Sequence, residues 1–322
     1  MRLKDLHLLP KFRDCLSYLY VEHCRIEQEE RAVALWDARG KVPVPCASLG
    51  VLMLGPGTSI THAAITALAD NGCLVLWCGE EGVRLYAQGL GMTRSAANFL
   101  HQAKLWADPA LRLEVVWRLY RLRFEEPLEE SLTLRQVRGK EGVRVREAYA
   151  RASRETGVPW HGRAYRRDAW QAADPVNRAL SAANSCLYGI CHAGILALGL
   201  SPALGFIHTG KMLSFVYDVA DLYKTRYSVP IAFRETARGL VNLESRVRRS
   251  CRDAFRQDFL LKTIVHDLQI ILNLDTRGRV TELEKFHRDE AFPGELWDPQ
   301  QEGGVPGGRN FAVPEGEGGE PP

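Results

Sequence analysis

The spacing of apolar residues changes once along this chain, near Gly91, and this change constrains the fold most. Before it, compact apolar runs such as Leu49–Leu54 and Leu74–Trp77 alternate with turn-forming residues such as Gly55-Pro56-Gly57. Short runs bounded in this way are typical of β-strands. We therefore expect a small β-rich, sandwich-like N-terminal domain, interrupted by one helix that stops near Asn71.

Farther along, apolar residues recur every three or four positions, in Asn98–Ala107 and again in Leu111–Phe124. This is the period of an amphipathic helix. The pair Asp108-Pro109 predicts a capped helix start. Asp174-Pro175 predicts a second one before a long apolar segment. Strand signals are scarce here. The sequence thus predicts an α+β multidomain protein whose second domain is all-α.

Three regions follow from these patterns. Residues 1–91 form the β-rich domain, residues 92–290 the helical domain, and residues 291–322 a tail rich in glycine and proline. The tail carries six acidic residues against one basic residue. Such a segment buries too little apolar area to offset its ordering entropy, so we expect it to be disordered.

Basic residues concentrate in the middle of the chain. Residues 96–290 hold 31 lysines and arginines against 23 aspartates and glutamates, whereas residues 1–95 hold 10 of each kind. This surplus favours an anionic partner, nucleic acid first. An arginine-rich, solvated helical surface is the alternative.

Cysteine usage and hydropathy indicate a compartment. The 8 cysteines form no CxxC pair and lie mostly in apolar runs, and no signal-like segment opens the chain. This usage is typical of the reducing cytoplasm. The longest apolar stretch, Cys186–Leu200, is shorter than the roughly 20 residues that a membrane span needs. We expect a cytoplasmic protein without a membrane segment.

Candidate metal ligands lie in one short stretch of the helical region. Asp218 and Asp221 are three residues apart and so share one face of a helix. His208 precedes that helix across a glycine-containing turn, which allows its ring to fold back toward the same face. Carboxylate and imidazole ligands suit Mg²⁺ or Mn²⁺. The alternative is that both aspartates are solvated and His208 only caps the helix.

Other stretches carry weaker signals. Glu141 lies between glycines at a predicted helix start, where capping is the default and metal binding the alternative. Arginines alternate with aromatic residues in Trp160–Trp170, which suits either nucleic acid or ordinary packing. Arginines in 246–256 recur at a helical spacing that could bind phosphates.

The stretch Gly205–Lys211 nearly matches a phosphate-binding loop. A methionine follows it, however, where a hydroxyl must hold Mg²⁺, so an NTPase is excluded.

Four sequence blocks together resemble the CRISPR-associated spacer-acquisition integrase family. Their order and their residues resemble those of its type I-E subtype. The blocks are Gly205-Phe-Ile-His208-Thr-Gly-Lys211, Leu213-Ser-Phe-Val-Tyr-Asp218-Val-Ala-Asp221, Arg138-Gly-Lys-Glu141-Gly-Val-Arg-Val-Arg146 and Ser181-Ala-Ala-Asn-Ser-Cys-Leu-Tyr188-Gly189. The resemblance runs from the N-terminal strands to about residue 290. It implies a β-rich N-terminal domain followed by a helical catalytic domain.

The resemblance also implies roles for single residues. It places metal ligands at Glu141, His208 and Asp221, with Asp218 as a supporting acid in the catalytic site. Further positions around the catalytic pocket and the DNA are implied at Tyr165, Trp170, Tyr188, Lys224, Arg84, Arg163 and Arg248.

This chain departs from the family pattern at three positions. His23 stands where related members place a tyrosine that separates the DNA strands, although a histidine ring can still stack on a base. Ser59 and Thr66 stand where some members have arginines that grip DNA.

The implied function is that of a metal-dependent DNA integrase and endonuclease in defence against foreign DNA. It would join short fragments into a CRISPR array by attack of a DNA 3′-hydroxyl on a backbone phosphate, with Mg²⁺ or Mn²⁺ as cofactor. The implied partners are double-stranded and branched DNA, a second copy of the chain in a homodimer, and a small ferredoxin-like CRISPR adaptation protein. Two alternatives stay open: a branched-DNA nuclease in repair, and a non-enzymatic DNA-binding scaffold.

Overall fold

The computed structural model of the protein describes residues 17–30, 32–46, 49–80, 85–89, 96–124, 126–129, 131–163 and 174–274. All of these residues belong to one compact unit. The strands are β1 (Ser17–Val21), β2 (Arg25–Glu29), β3 (Ala32–Asp37), β4 (Gly40–Pro45), β5 (Leu49–Leu54), β6 (Ser59–Ile60), β7 (Leu74–Cys78) and β8 (Leu85–Gln88). The helices are α1 (His62–Asp70), α2 (Ala97–Ala107), α3 (Pro109–Arg121), α4 (Leu134–Thr156), α5 (Pro175–Ala197), α6 (Ser214–Ala220), α7 (Ser228–Ala237), α8 (Leu243–Gln257) and α9 (Leu260–Leu272).

The strands form two mixed sheets. The first has the order β1-β5-β7-β8, with β1, β5 and β7 parallel and β8 antiparallel to β7. The second has the order β4-β3-β2-β6, in which β6 pairs with β2 in parallel and the other neighbours are antiparallel.

Strand β5 is buried on both faces. Leu52 and Leu54 pack with the second sheet and α1 in a small core, whereas Val51 and Met53 join the large core of the helices. A parallel strand covered on both sides requires a continuous apolar run rather than an alternating one. This burial explains why β5 reads as six consecutive residues without a charge.

Helix α5 is the centre of the helical region and packs against α6, α7, α8 and α9. Gly194 allows α5 to approach α9 closely, because a Cβ atom there would lie 2.7 Å from Cγ2 of Ile264 on α9. By length and composition α5 could cross a membrane, but 72% of its most apolar window is buried inside the protein, as in a core helix.

The predicted fold class is confirmed: a β-rich N-terminal region precedes a helical region. The predicted helix start at Glu141 was wrong. Helix α4 begins at Leu134, after a capping box formed by Thr133 and Gln136, so Glu141 lies inside the helix. The helix continues through Gly139 and Gly142 despite their low helix propensity, and its packing on α7 is a tertiary contact that propensity alone does not reveal. The predicted domain boundary at residues 91 and 92 and the predicted tail lie outside the described residues.

Candidate active site

The carboxylate of Asp218 organises the segment that carries His208. It is fully buried and accepts hydrogen bonds from the backbone N–H groups of Phe206 (2.6 Å), Ile207 (3.0 Å) and His208 (2.8 Å). Nδ1 of His208 lies 2.6 Å from Oδ1 of the same carboxylate. This hydrogen bond raises the pKa of His208 above its ordinary value of 6.5. Because the carboxylate accepts, Nδ1 carries the proton, and Nε2 is the ring nitrogen that could bind a metal ion.

Side chains of helices α2 and α3 bind residues 201–206, the part of the loop that leads into His208. The bonds run from the Gln102 amide to the carbonyls of Ser201 (3.0 Å) and Leu204 (3.2 Å), from the Trp106 indole to Gly205 (3.0 Å), and from the Arg112 guanidinium to Phe206 (3.1 Å). Side chains thus bind four carbonyls of this loop, which makes it a rigid support for a reactive side chain.

Glu141 projects from α4 and is nearly buried. Arg144, one turn farther along the helix, binds it through Nε at 2.8 Å and Nη2 at 3.0 Å. The remaining terminal nitrogen of Arg144 donates to the hydroxyl of Thr225 at 2.9 Å. Arg144 therefore links Glu141 to the segment that follows α6.

Asp221 ends helix α6 and pairs with Lys224. The Lys224 Nζ atom lies 2.6 Å from Oδ1 of Asp221 and 5.1 Å from the ring centroid of Tyr188 on α5. Burial alone lowers the pKa of Lys224, but Asp221 and Tyr188 outweigh it and the pKa is raised. Lys224 thus stays an ammonium group at neutral pH.

Arg123 connects the two carboxylates. Its Nη1 atom lies 3.6 Å from Oε1 of Glu141, and its Nη2 atom lies 3.6 Å from Oδ2 of Asp221. The guanidinium is 4% exposed and lies 5.0 Å from the ring centroid of Tyr120. Two acids from different helices therefore meet at a single buried cation.

Aromatic contacts join this cluster to His208. The ring of Tyr217 lies 5.1 Å from that of Tyr188 and 6.0 Å from that of His208, each edge to face. The charge of Asp221 also acts on His208 and contributes to its raised pKa. The structure thus brings six predicted residues into one cluster: Glu141, Tyr188, His208, Asp218, Asp221 and Lys224.

The donor set suits a hard divalent cation, since it combines two carboxylates with an imidazole that a buried acid holds through its other nitrogen. Among the described residues, however, no three such donors stand together in an arrangement that could hold a metal ion. Glu141 and Asp221 are instead paired with the cations Arg123, Arg144 and Lys224.

Comparison with known proteins identifies the family. A family model for CRISPR associated protein Cas1 matches residues 120–245, which span Glu141, His208 and Asp221. The chain is 59% identical over 321 residues to the CRISPR-associated endonuclease Cas1 2 of Thermus thermophilus, covering 99% of this chain and 97% of that protein. The chain belongs to the Cas1 family.

Two further Cas1 relatives extend the comparison. The CRISPR-associated endonuclease Cas1 of Clostridium sp. is 41% identical over 307 residues, covering 94% of this chain and 98% of that protein. The crystal structure of the TtCas1–DNA complex is 63% identical, with a TM-score of 0.73, and covers 82% of this chain and 99% of that chain.

The residues that the Cas1 resemblance assigned to DNA binding lie in different parts of the structure. Arg163 donates to the backbone carbonyl of Asn177 (2.9 Å) and to Oγ of Ser181 (2.8 Å), which ties it to the start of α5. Arg248 on α8 pairs with Glu80 at 3.0 Å. His23 is exposed in a left-handed backbone conformation, with φ of 50°.

Ser59 begins β6, and Thr66 on α1 donates to the carbonyl of His62 at 3.1 Å. Three predicted positions, Arg84, Tyr165 and Trp170, lie outside the described residues.

Sequence reasoning missed Arg123 and the three side chains that hold the 201–206 segment. Arg123 meets its partners across 18 and 98 positions of the chain, and no local spacing encodes such contacts. The sequence does carry a signal for the other two cations of the cluster. Glu141–Arg144 and Asp221–Lys224 are both acid–base pairs spaced three residues apart, which predicts their contact on a helix.

Proposed function

We propose that this Cas1 protein is a divalent-metal-dependent DNA endonuclease and integrase that inserts short fragments into a CRISPR array. The observation that carries the proposal is the meeting of Glu141 and Asp221 on one buried cation, near a histidine that Asp218 fixes through Nδ1. The names of the relatives, which are CRISPR-associated endonucleases, and the TtCas1–DNA complex support it.

Glu141, Asp221 and Nε2 of His208 would hold Mg²⁺ or Mn²⁺. The bound ion would supply Lewis acidity at a backbone phosphate and would lower the pKa of an attacking 3′-hydroxyl. Asp218 contributes by keeping the proton on Nδ1, so that the other ring nitrogen stays available as a ligand.

Lys224 and Tyr188 would act on the DNA phosphate. The ammonium group of Lys224 stays charged next to Asp221, and it can donate to a non-bridging phosphate oxygen as charge develops there. The Tyr188 ring packs beside Lys224 and Tyr217, and its hydroxyl would be a second donor to the phosphate. No covalent enzyme intermediate is required, since the nucleophile is the DNA 3′-hydroxyl itself.

The DNA partner would be double-stranded or branched. The basic surplus of the helical region supports this proposal. We propose Arg163, Arg248 and His23 as DNA contacts, with Arg84, Tyr165 and Trp170 completing the set. Type I-E subtype, a homodimer, a small ferredoxin-like partner and a cytoplasmic location complete the proposed assignment. The free thiols of seven buried cysteines are compatible with a reducing compartment.

A strand-joining assay tests the proposal. A labelled duplex fragment and a supercoiled plasmid carrying a CRISPR repeat are incubated with Mn²⁺ or Mg²⁺, with and without the small partner protein. The variants are His208→Ala and Asp221→Ala. Matched controls are His266→Ala on α9, whose side chain is 69% exposed, and Asp70→Ala at the exposed end of α1.

We expect joining by the wild type and both controls, and none by the two site variants, while DNA binding is largely retained. Undiminished joining by either folded site variant would refute the ligand assignment. Cleavage of branched DNA without any joining, even with the partner present, would favour the repair nuclease. Absence of every metal-dependent reaction in the wild type would favour the scaffold.

A further inference from the structure

Arg123 is the strongest feature of the site that the proposed chemistry does not use. Its guanidinium is 4% exposed, and both of its ion-pair distances are 3.6 Å, longer than the 2.7–3.2 Å of a hydrogen bond. Within the described residues, Nε and Nη2 are buried and find no hydrogen-bond acceptor. A buried charge held in this loose way is costly, so its position calls for an explanation.

The contacts of the neighbouring cations differ from those of Arg123. Arg144 pairs with Glu141, and Lys224 pairs with Asp221. Among the cations that the structure describes in this cluster, Arg123 is the one that pairs with both acids. It therefore bridges α4 and the end of α6.

We propose that Arg123 is a positioning residue, a resident counter-cation that holds Glu141 and Asp221 together and competes with the divalent ion for them. This inference rests on the proposed function. Arg144 and Lys224 each compensate one acid, but neither of them pairs with both. Without Arg123 the two carboxylates would repel each other with less compensating charge between them, and the direct ion-pair connection between α4 and the end of α6 would be lost. Arg123 supplies that charge from the chain itself.

Competition follows from the distances. Mg²⁺ binds carboxylate oxygens at about 2.0–2.1 Å, so both acids would have to leave the guanidinium and close on the ion. Part of the binding free energy of the ion is then spent on breaking the two contacts of Arg123. Loss of Arg123 should therefore tighten ion binding, which general damage to the structure cannot do.

Two substitutions separate charge from shape. Arg123→Met removes the charge and keeps an apolar stem on the ring of Tyr120, whereas Arg123→Lys keeps a charge. Arg121→Met, at an exposed position of α3, is the matched control. The first measurement is the binding of Mn²⁺ alone by isothermal titration calorimetry.

We expect Arg123→Met to bind Mn²⁺ several-fold more tightly than the wild type, and Arg123→Lys and Arg121→Met to bind it as the wild type does. A folded Arg123→Met protein that binds Mn²⁺ no more tightly would overturn the proposal. If Arg123→Met is unfolded in chelator, Mn²⁺ should restore its native circular dichroism, and a failure to do so would equally overturn it.

The second measurement does not depend on metal. Thermal unfolding in EDTA is followed for the wild type, Arg123→Met, Asp221→Asn and the double variant. Because the arginine and the acid stabilise each other, we expect the double variant to lose less than the sum of the single losses. Additive losses of stability would contradict the proposal that Arg123 is a counter-cation of Asp221. If the cycle is non-additive but no protein binds Mn²⁺, the metal dependence proposed above fails while the pairing role of Arg123 stands.

Discussion

Nδ1 of His208 lies 2.6 Å from Oδ1 of Asp218, and that buried carboxylate also receives the backbone N–H groups of residues 206–208. One side chain therefore fixes both the direction of the imidazole and the course of the loop that carries it. Removing the acid would abolish both effects at once. The loop can instead be weakened through its hydrogen bonds with α2 and α3.

Asp218→Asn should destabilise the protein and abolish strand joining. The amide NH₂ would face donors that now meet an oxygen, and each buried donor left unpaired costs about 1–3 kcal/mol. Urea unfolding measures the stability and the joining assay measures the activity. A variant with wild-type stability and activity would show that Asp218 does not organise the loop.

Trp106→Phe should slow joining with a small loss of stability. It removes the indole N–H that donates to the Gly205 carbonyl at 3.0 Å, a bond worth about 1 kcal/mol. The matched control is Trp36→Phe on β3, where the ring is 43% exposed. Joining rates and urea midpoints are compared for the two variants, and equal effects on joining would count against the loop contact.

Gly205→Ala should be strongly destabilising, whereas Gly139→Ala should not. A Cβ atom at Gly205 would lie 2.7 Å from the backbone of Ser214 and would also strike the carbonyl oxygen of His208. At Gly139, within α4, nothing lies within 4 Å of such an atom, so alanine should stabilise the helix by about 0.5–1 kcal/mol. Thermal unfolding of both variants checks the contrast, and a similar sign for both would contradict it.

The buried carboxylate of Glu235 should make stability depend on pH. Burial alone raises its pKa, but hydrogen bonds from Ser250, Arg246 and Arg238 outweigh this, so the pKa lies below its ordinary value of 4.5. A group whose pKa is lowered on folding contributes stability that is complete above the unfolded pKa and is lost as the pH falls through the folded pKa.

The free energy of unfolding of the wild type should therefore decrease below pH 4.5, and less steeply in Glu235→Gln. At neutral pH the substitution should cost about 1–2 kcal/mol, because the buried carboxylate loses charge-assisted hydrogen bonds from Ser250, half-buried Arg246 and exposed Arg238. Urea unfolding between neutral and acidic pH measures both effects. Glu114→Gln, on an exposed side chain of α3, serves as the control, and identical pH profiles for the two variants would rule out the role of Glu235.

Burial on both faces made the central strands easy to predict. Strand β5 matches its predicted bounds because a continuous apolar run with glycine at its end admits few other readings. Strand β2 was missed, since it reads Arg-Ile-Glu-Gln-Glu and buries Ile26 alone among its five residues. Its place is set by pairing with β3 and β6, which the local sequence does not encode.

The site was predictable as far as contacts are local. Folding of His208 toward Asp218 across ten residues followed from the glycine-containing turn, and the structure confirms the contact. The meeting of Glu141 with Asp221 at Arg123 came only through the family resemblance, because it depends on tertiary contacts between residues far apart in the chain. Arg123 escaped both routes, since a buried arginine in an arginine-rich stretch has no signature of its own.

Strand β5 presents alternate side chains to two separate apolar cores, with Leu52 and Leu54 on one side and Val51 and Met53 on the other. Melting of either half would strip one flank of this strand and open it to water. The described strands and helices should consequently lose their structure together, and a helical fragment cut free of its strands would expose the apolar surface of α5 that now faces β5 and β7 and would aggregate.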